Sequence, residues 1–411
     1  MIASAVLTFP VADTAWCAEG DIIEINGFMS GYYASGNRKL DNEHSLFGTN
    51  DALQVKVKPD PKLSLYIDGR YFSNNPDSQN NLREAYINWN LDNFSLRAGK
   101  QVIAWGRADK FNPTDVITPR NYEILSSDDD DQRFGAIGVV AKFFLLPELS
   151  LETVALPTFR SSRVPSGILP EQINTSREHE DFSLDNTQWG IKADKSGGQW
   201  DLSVSYYKGF STLPMITLGN GFDLVLRNPK MQMFGMDFAT IVKQWGIRGE
   251  AAYVRLSDLG AIPQTSPKSY FYGVLGIEHS LSESITFNVQ WLHRYVFDFY
   301  NSNDINPQLT PIAKGNALIH NQFDRHQDGA AVRISGKWLN DTLKAEIAGA
   351  FLFNHSDYVI RPKLQYAISD RWKATLLADI YRGPEDGFFG GFRKNSLAYL
   401  EIRYEFGPFS R

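Results

Sequence analysis

The sequence predicts an all-β protein: a transmembrane, antiparallel, up-and-down β-barrel of about 18 strands, within a range of roughly 16–18. Three observations predict it. Apolar and polar residues alternate with period two through most of the 411 residues. The connectors between the alternating runs switch between short and long, as in barrels with short periplasmic turns and long extracellular loops. No stretch beyond the extreme N-terminus has the ~20 apolar residues that a spanning helix needs. A hydrophobic content of 43% and a mean hydropathy of -0.31 are too low for a bundle of membrane helices.

Residues 1–18 read as a truncated signal peptide. Ile2 to Pro10 is mostly apolar, and Ala15 and Cys17 fit the small positions before a cleavage site. The basic start of such a signal is missing, since the first basic residue is Arg38. Residues 19–411 read as one barrel domain. Its first strand opposes Ile23, Ile25, Gly27, Met29 and Tyr33 to Glu24, Asn26, Ser30 and Tyr32. The second opposes Leu53, Val55 and Val57 to Gln54, Lys56 and Lys58. After the Pro59–Pro61 turn, Leu63, Leu65, Ile67, Gly69 and Tyr71 oppose Ser64, Tyr66, Asp68 and Arg70. A hairpin follows. Ala85, Ile87, Trp89 and Leu91 oppose Glu84, Tyr86, Asn88 and Asn90, and beyond Asp92-Asn93, Phe94, Leu96 and Ala98 oppose Ser95, Arg97 and Gly99.

Further strands are expected near 133–144, 149–156, 187–194, 199–208, 231–243, 245–256, 269–281, 285–298, 327–338, 342–353, 358–368, 372–381 and 395–406. The long connectors are 35–50, 105–132, 157–186, 209–230, 257–268, 299–326 and 382–394, with 74–80 and 354–357 as short members of the same set. Both termini then fall at the short-turn end. Aromatic residues at strand ends suit girdles at the membrane interface: Tyr32, Tyr33, Tyr71, Phe72, Trp89, Phe94, Trp105, Trp200, Tyr206, Tyr207, Trp245, Trp291, Trp338 and Trp372. The last strand, LAYLEIRYEF, is amphipathic and reaches Phe406. It resembles the C-terminal assembly signal of outer-membrane barrels, although the chain runs on through Gly407–Arg411.

The run SLRAGKQVIAWGRADKFNPTDVITPRNY resembles the signature of a Gram-negative outer-membrane family labelled a porin-like domain of unknown function. That family is distantly similar to alginate-export porins. The tail PKLQYAISDRWKATLLADIYRGPEDGFFGGF, followed by LAYLEIRYEF, is similar to the closing hairpins of that family. The resemblance covers about a quarter of the chain, and it implies an outer-membrane barrel without a settled substrate.

The chemistry-bearing residues concentrate around the first long loop. Arg97, Gln101, Arg107, Asp109, Lys110, Asp115 and Arg120 are the expected constriction, where a charged ring can set a field across the pore. Lys56, Lys58, Asp68, Arg70, Glu84, Tyr86, Glu401, Arg403 and Glu405 are expected to line the lumen. The stretch 105–131, about 27 residues, is long enough at ~3.3 Å per residue to reach the barrel axis. Its Val116, Ile117, Tyr122, Ile124 and Leu125 call for cover, so part of it is expected inside the lumen, its charges pairing with wall residues such as Arg97 or Glu84. The acidic run Asp128–Asp131 reads as solvated or paired with basic loop residues rather than as a divalent-cation site.

No metal site and no cofactor is expected: the one cysteine, Cys17, and seven scattered histidines show no ligand spacing. No catalytic residue is expected either. No GxSxG motif is present, and His293, which shares the lipid-facing parity of Trp291 and Val289, has no evident serine or carboxylate partner. The net charge of -6 argues against a nucleic-acid partner. The expected function is an outer-membrane channel for passive or substrate-biased diffusion of small solutes. The alternatives are an export route for a hydrophobic compound or polymer and, least favoured, an outer-membrane lipase. The expected partners are outer-membrane lipid and lipopolysaccharide, the barrel-assembly machinery and the small-molecule solute. The sequence does not define the oligomeric state.

Overall fold

The computed structural model describes residues 23–36, 45–74, 77–165, 173–177, 186–219, 223–257 and 262–407. The signal-peptide reading of 1–18 lies outside them. Eighteen strands form one sheet, each pairing antiparallel with its neighbours. Ile23–Gly36 closes the cylinder by pairing with Leu397–Phe406, from Gly27 opposite Phe406 to Gly36 opposite Leu397. Closure leaves no free sheet edge, which an apolar solvent would not tolerate.

The alternation is realised as two faces. Leu53, Ile67, Ile87, Leu202, Trp291 and Leu376 are exposed on the outside. Asp68, Ser203, Asp237, Glu250, Gln290, Thr375 and Glu401 are buried inside. An apolar exterior and a polar interior are the reverse of a water-soluble β-sandwich. The turns at the short end connect, for example, Asp60 to Leu63, Leu91 to Phe94 and Val242 to Trp245.

The structure corrects several expectations. The second strand runs Ser45–Asp60, so the expected loop over 35–50 ends earlier; on this extension Leu46 is buried while Phe47 faces out. The expected loops 157–186 and 209–230 contain a small second sheet. Met215–Leu218 pairs antiparallel with Leu224–Arg227, and Leu224–Arg227 pairs parallel with Ile173–Arg177. The loop 299–326 contains a helix, Thr310–His320, started by a proline in its first turn and ended by Asn321 in the left-handed region. Asn316 fastens this helix to the small sheet, accepting from the Ile216 N–H at 2.7 Å and donating to its carbonyl at 2.9 Å. His320 sits at 3.0 Å from the Pro214 carbonyl, and burial pushes its imidazole down to about 4, so it is neutral at pH 7.

Four expected girdle aromatics face inward instead. Tyr32, Phe72, Trp105 and Tyr207 are buried. Trp105 donates to Glu152 at 2.7 Å and Tyr207 to Gln188 at 2.6 Å. These rings have polar partners within the barrel, and a ring count at strand ends cannot separate its two faces.

Candidate functional site

Residues 102–135 leave the strand Phe94–Gln101 and return to Ala136–Leu146 only after touching strands on every side of the interior. The segment has two limbs. The first, 102–118, begins with the Val102 N–H donating to Glu84 at 2.8 Å and the Ile103 N–H donating to Thr118 Oγ1 at 2.8 Å. Its main attachment is Glu250, on the strand Trp245–Ser257. That carboxylate accepts from the backbone N–H of Arg107 and of Ala108 at 3.0 Å each, from the Thr114 N–H at 2.7 Å and from Thr114 Oγ1 at 2.8 Å. Successive N–H groups converging on one anion form a nest. Gly106 makes the approach possible. Its φ is 102°, and a Cβ there would lie 2.5 Å from Glu250 Oε2.

Arg107 pairs with Asp194 at 2.6 Å and with Asp237. Asp109 crosses to Arg333 at 2.7 Å. Ile103, Trp105 and Ile117 pack among Val154, Leu156, Tyr207, Met231, Met233, Ala252 and Val254. Phe111 and Ala108 pack on Val274, Leu292, Ala331 and Ala350.

The second limb, 119–134, folds back on itself. The Phe134 N–H donates to the Pro119 carbonyl at 2.8 Å, and that of Asn121 to Gln132 at 2.7 Å. Asp115 ties its base, binding Arg120 at 3.1 Å and Arg133 at 2.6 Å. The tip carries the acidic run. Asp128 caps a single 3-10 turn, accepting from the Asp130 N–H at 3.0 Å. Asp129 pairs with Arg361 at 2.6 Å and Lys110 at 3.3 Å. Asp130 pairs with Arg83 and, at 2.9 Å, with Arg133. Asp131 takes Arg70 and Asn50 at 2.9 Å each, with Arg403 at 3.7 Å. Burial opposes the charge on Asp129 and Asp130. Arg361 and Lys110 for the one, and Arg83 and Arg133 for the other, nevertheless hold both carboxyls below the ordinary carboxylate range.

The acidic run is therefore paired, but mostly with arginines of the wall rather than basic residues of the loop. Among the described residues no cluster of His, Cys, Asp or Glu could hold a metal ion. The expected apolar cover is partial: Ile117 and Ile124 are buried, Leu125 packs beside Tyr32 and Tyr399, and Tyr122 stays exposed. Nor do the loop charges pair with Arg97 or Glu84. Arg97 lies over the Tyr86 ring at 4.6 Å, and Glu84 receives a backbone N–H rather than a cation.

The remaining expected site residues divide by height. Asp68, Arg70, Glu401 and Arg403 belong to the network under the tip, with Asp68 to Arg70 at 2.7 Å, Glu401 to Arg403 at 2.8 Å and Ser127 donating to Glu401 at 2.6 Å. Gln101 is buried at the strand end and donates to the Gly138 carbonyl at 3.2 Å. Nearer the short turns, Lys58 pairs with Glu24 at 2.5 Å and Glu405 with Lys373 at 2.6 Å. Lys56, Tyr86 and Arg97 occupy the same lower wall.

Sequence reasoning missed Arg83, Arg361, Asp237 and the role of Glu250. Arg83 has the parity of outward residues such as Ala85 and Ile87. A register shift pairs Asp68 with Glu84 but Gly69 with Leu82, leaving Arg83 as the extra residue of a bulge. The bulge turns its side chain inward. The signal was visible in Leu82, an apolar residue on the polar parity. His293 is also corrected: it has a carboxylate partner, Asp328 at 2.8 Å, directly across the strand pair. That partner depends on register, which one strand alone does not reveal.

The family model described as a protein of unknown function, DUF1302, matches residues 28–406. The chain belongs to the DUF1302 family. No curated protein sequence matches it. Among solved structures, OccK11 (OpdR) of Pseudomonas aeruginosa shares 11% identity over 94% of this chain and 96% of that one, with a TM-score of 0.56. OccK5 (OpdH) of the same organism shares 9% identity over 94% and 98%, with a TM-score of 0.57. A mutant Rh. blastica porin overlaps less well, at a TM-score of 0.44 with 12% identity over 93% and 100%. The first two share the fold of this DUF1302 barrel. They carry no residue-level correspondence at such identity.

Proposed function

We propose that this DUF1302 protein is an outer-membrane channel of a Gram-negative bacterium, passing small polar solutes, with residues 102–135 as its constriction. The observation that carries the reading is the inward course of that segment. A cylinder of 18 strands is wide enough for water unless something fills it. Here one segment spans the interior from Glu84 on one wall to Arg333 on another. A loop held at so many points acts as a fixed aperture. Its charges, set against the wall arginines, would select solutes by sign and shape. The fold shared with OccK11 and OccK5 supports the architecture. We read the chain as a channel rather than an enzyme because its buried charges neutralise one another across the lumen.

The test is deletion of 108–128 with the barrel shown to remain folded. Single-channel conductance in planar bilayers should rise several-fold. Unchanged conductance and ion preference would remove the loop from the role of constriction. A folded, inserted protein that never conducts would end the channel reading itself.

A further inference from the structure

Three cations stand together on the outer face of the barrel. Lys208, Lys230 and Arg255 are exposed at the long-loop ends of three adjacent strands, Trp200–Phe210, Lys230–Val242 and Trp245–Ser257. They share the outward parity of the exposed Leu202, Phe234 and Tyr253. The register puts Lys208 opposite Gln232 and Gln232 opposite Arg255. The two flanking positions are thus two strand spacings apart, about 10 Å, and Lys230 lies about 7 Å further up the middle strand. Among the described residues no carboxylate is within salt-bridge reach of any of the three. Inside the barrel, by contrast, Arg70, Arg83, Arg361 and Arg403 each hold a carboxylate.

One side-chain step below the cations runs a row of rings. Tyr206, Phe234, Tyr253, Phe271, Tyr295 and His326 follow one another across six strands, each opposite the next. The Tyr206 and Phe234 rings are 4.7 Å apart, and Trp189, opposite Lys208, lies 5.1 Å from Tyr206. From Trp245, at the short-turn end, to Tyr253 is about 27 Å of strand, or roughly 21 Å of height at a tilt of ~40°. That is close to the apolar band of a membrane barrel, about 25 Å tall. The cations therefore stand just outside the hydrocarbon, at headgroup level on the long-loop side.

We infer that Lys208, Lys230, Gln232 and Arg255 form a site for a phosphate of lipid A, the phosphorylated disaccharide lipid of the outer leaflet, an inference that rests on the outer-membrane reading above. Long basic side chains at a membrane edge keep their stems on the apolar surface and their charges among the headgroups. Arg255 offers paired donors that match two phosphate oxygens, and the two lysines add compact charges. The half-buried Gln232 adds an amide donor between them. A phosphomonoester carries about -1.5 to -2 at neutral pH, which suits three cations without a described counter-charge. A phosphodiester headgroup, with a single charge, would leave the site over-positive. The ring row beneath provides the amphipathic surface where acyl chains meet a headgroup.

The experiment measures lipid retained by the immobilised full chain in detergent. The probes are lipid A, dephosphorylated lipid A and phosphatidylglycerol. Lipid A should be retained several-fold more than either of the others. Combining Lys208→Gln, Lys230→Gln and Arg255→Gln should lower its retention by about tenfold, since the charge-assisted bonds are gone. Arg382→Gln is the control. Arg382 is an exposed cation at the same end of a distant strand, Trp372–Arg382, and donates to the Tyr381 carbonyl at 2.9 Å. Its loss should leave retention unchanged. Heat-modifiable electrophoretic mobility reports whether each variant is folded, and the three-lipid comparison on the unaltered protein needs no variant. Equal retention of the three lipids, or unchanged retention of lipid A in the folded triple variant, would overturn the site. Displacement by inorganic phosphate at the concentration of the lipid would also overturn it, by making it a site for the free ion. Membrane fractionation separates this inference from the reading beneath it. A chain in the outer membrane without preference for lipid A would sink the site alone, and a chain recovered with the inner membrane would sink the outer-membrane reading.

Discussion

The two limbs of the segment 102–135 differ in their main attachments, although Arg107 and Asp109 also give the first limb ion pairs to Asp194, Asp237 and Arg333. The first is held by apolar burial and by backbone N–H groups converging on Glu250. The second is held by side-chain charges, with three consecutive aspartates each bound to wall or loop cations. Apolar contacts and backbone bonds depend little on ionic conditions. Buried ion pairs roughly cancel their own desolvation and contribute geometry more than stability. The first limb thus sets where the segment sits, and the second sets the geometry of its tip.

The largest effect should come from removing the nest. In Glu250→Ala three backbone N–H groups and the Thr114 hydroxyl lose their acceptor in a buried site. Each charge-assisted bond contributes about 1.5–3 kcal/mol, so the first limb should open locally by at least about 5 kcal/mol. Hydrogen exchange at 105–115 should rise by orders of magnitude while the strands stay protected. If exchange rises equally across the tip at 123–131, the two limbs are one unit and the contrast is wrong.

Next is Arg70→Ala. It removes the nearest cation of two buried carboxylates, leaving Asp68 with Arg83 at 3.5 Å and Asp131 with Arg403 at 3.7 Å. Breaking a buried pair from one side costs about 3–5 kcal/mol. Exchange should increase at 126–133 and not at 105–115. Single-channel current should become noisy as the tip moves. A quiet, unaltered channel would mean that the tip does not border the path.

A smaller effect should follow acidification. Asp129 and Asp130 have carboxyls depressed in the folded protein, against an opposing burial. A depressed folded value means that the contribution is fully present above the unfolded value of about 3.9 and is lost as pH falls through the folded value. Tip protection, corrected for the intrinsic rate of exchange, should therefore stay flat from neutral pH down to about 4 and decline below it. A decline centred near pH 6 would assign the control to some other group.

Much of this was legible in residues. Alternation in runs such as Ile285–Trp291 marked the strands, because each face meets one solvent. The apolar residues of 116–125 marked a loop that needed cover, and Ile117 and Ile124 have it. What the sequence could not reveal was partnership. Glu250 lies more than a hundred residues from Arg107, and the pairing of Asp129 with Arg361 crosses the closed cylinder. Such contacts depend on register and closure, which are properties of the whole sheet. The Arg83 bulge is the intermediate case: it broke the parity in plain view at Leu82, yet only the pairing shows which side chain turned.

The smallest expected effect lies where the limbs meet. Lys110, in the left-handed region at φ 62°, holds Asp129 of the other limb at 3.3 Å and faces Glu346 at 3.8 Å. Both partners of the first pair are substantially exposed, at 40% and 41%. Exposed pairs contribute about 0–1 kcal/mol and are screened by salt. Asp129 also keeps Arg361 at 2.6 Å, so the tip loses only one of two cations in Lys110→Ala. That variant should keep its fold and its exchange pattern, with protection at the tip reduced by no more than about fivefold. The informative readout is salt. The difference between Lys110→Ala and the unaltered protein should shrink as ionic strength rises from 0.1 to 1 M, roughly from a 10 Å to a 3 Å screening length. A difference that persists at high salt would place Lys110 among the buried contacts, and the limbs would then be joined by packing rather than by a solvated bridge.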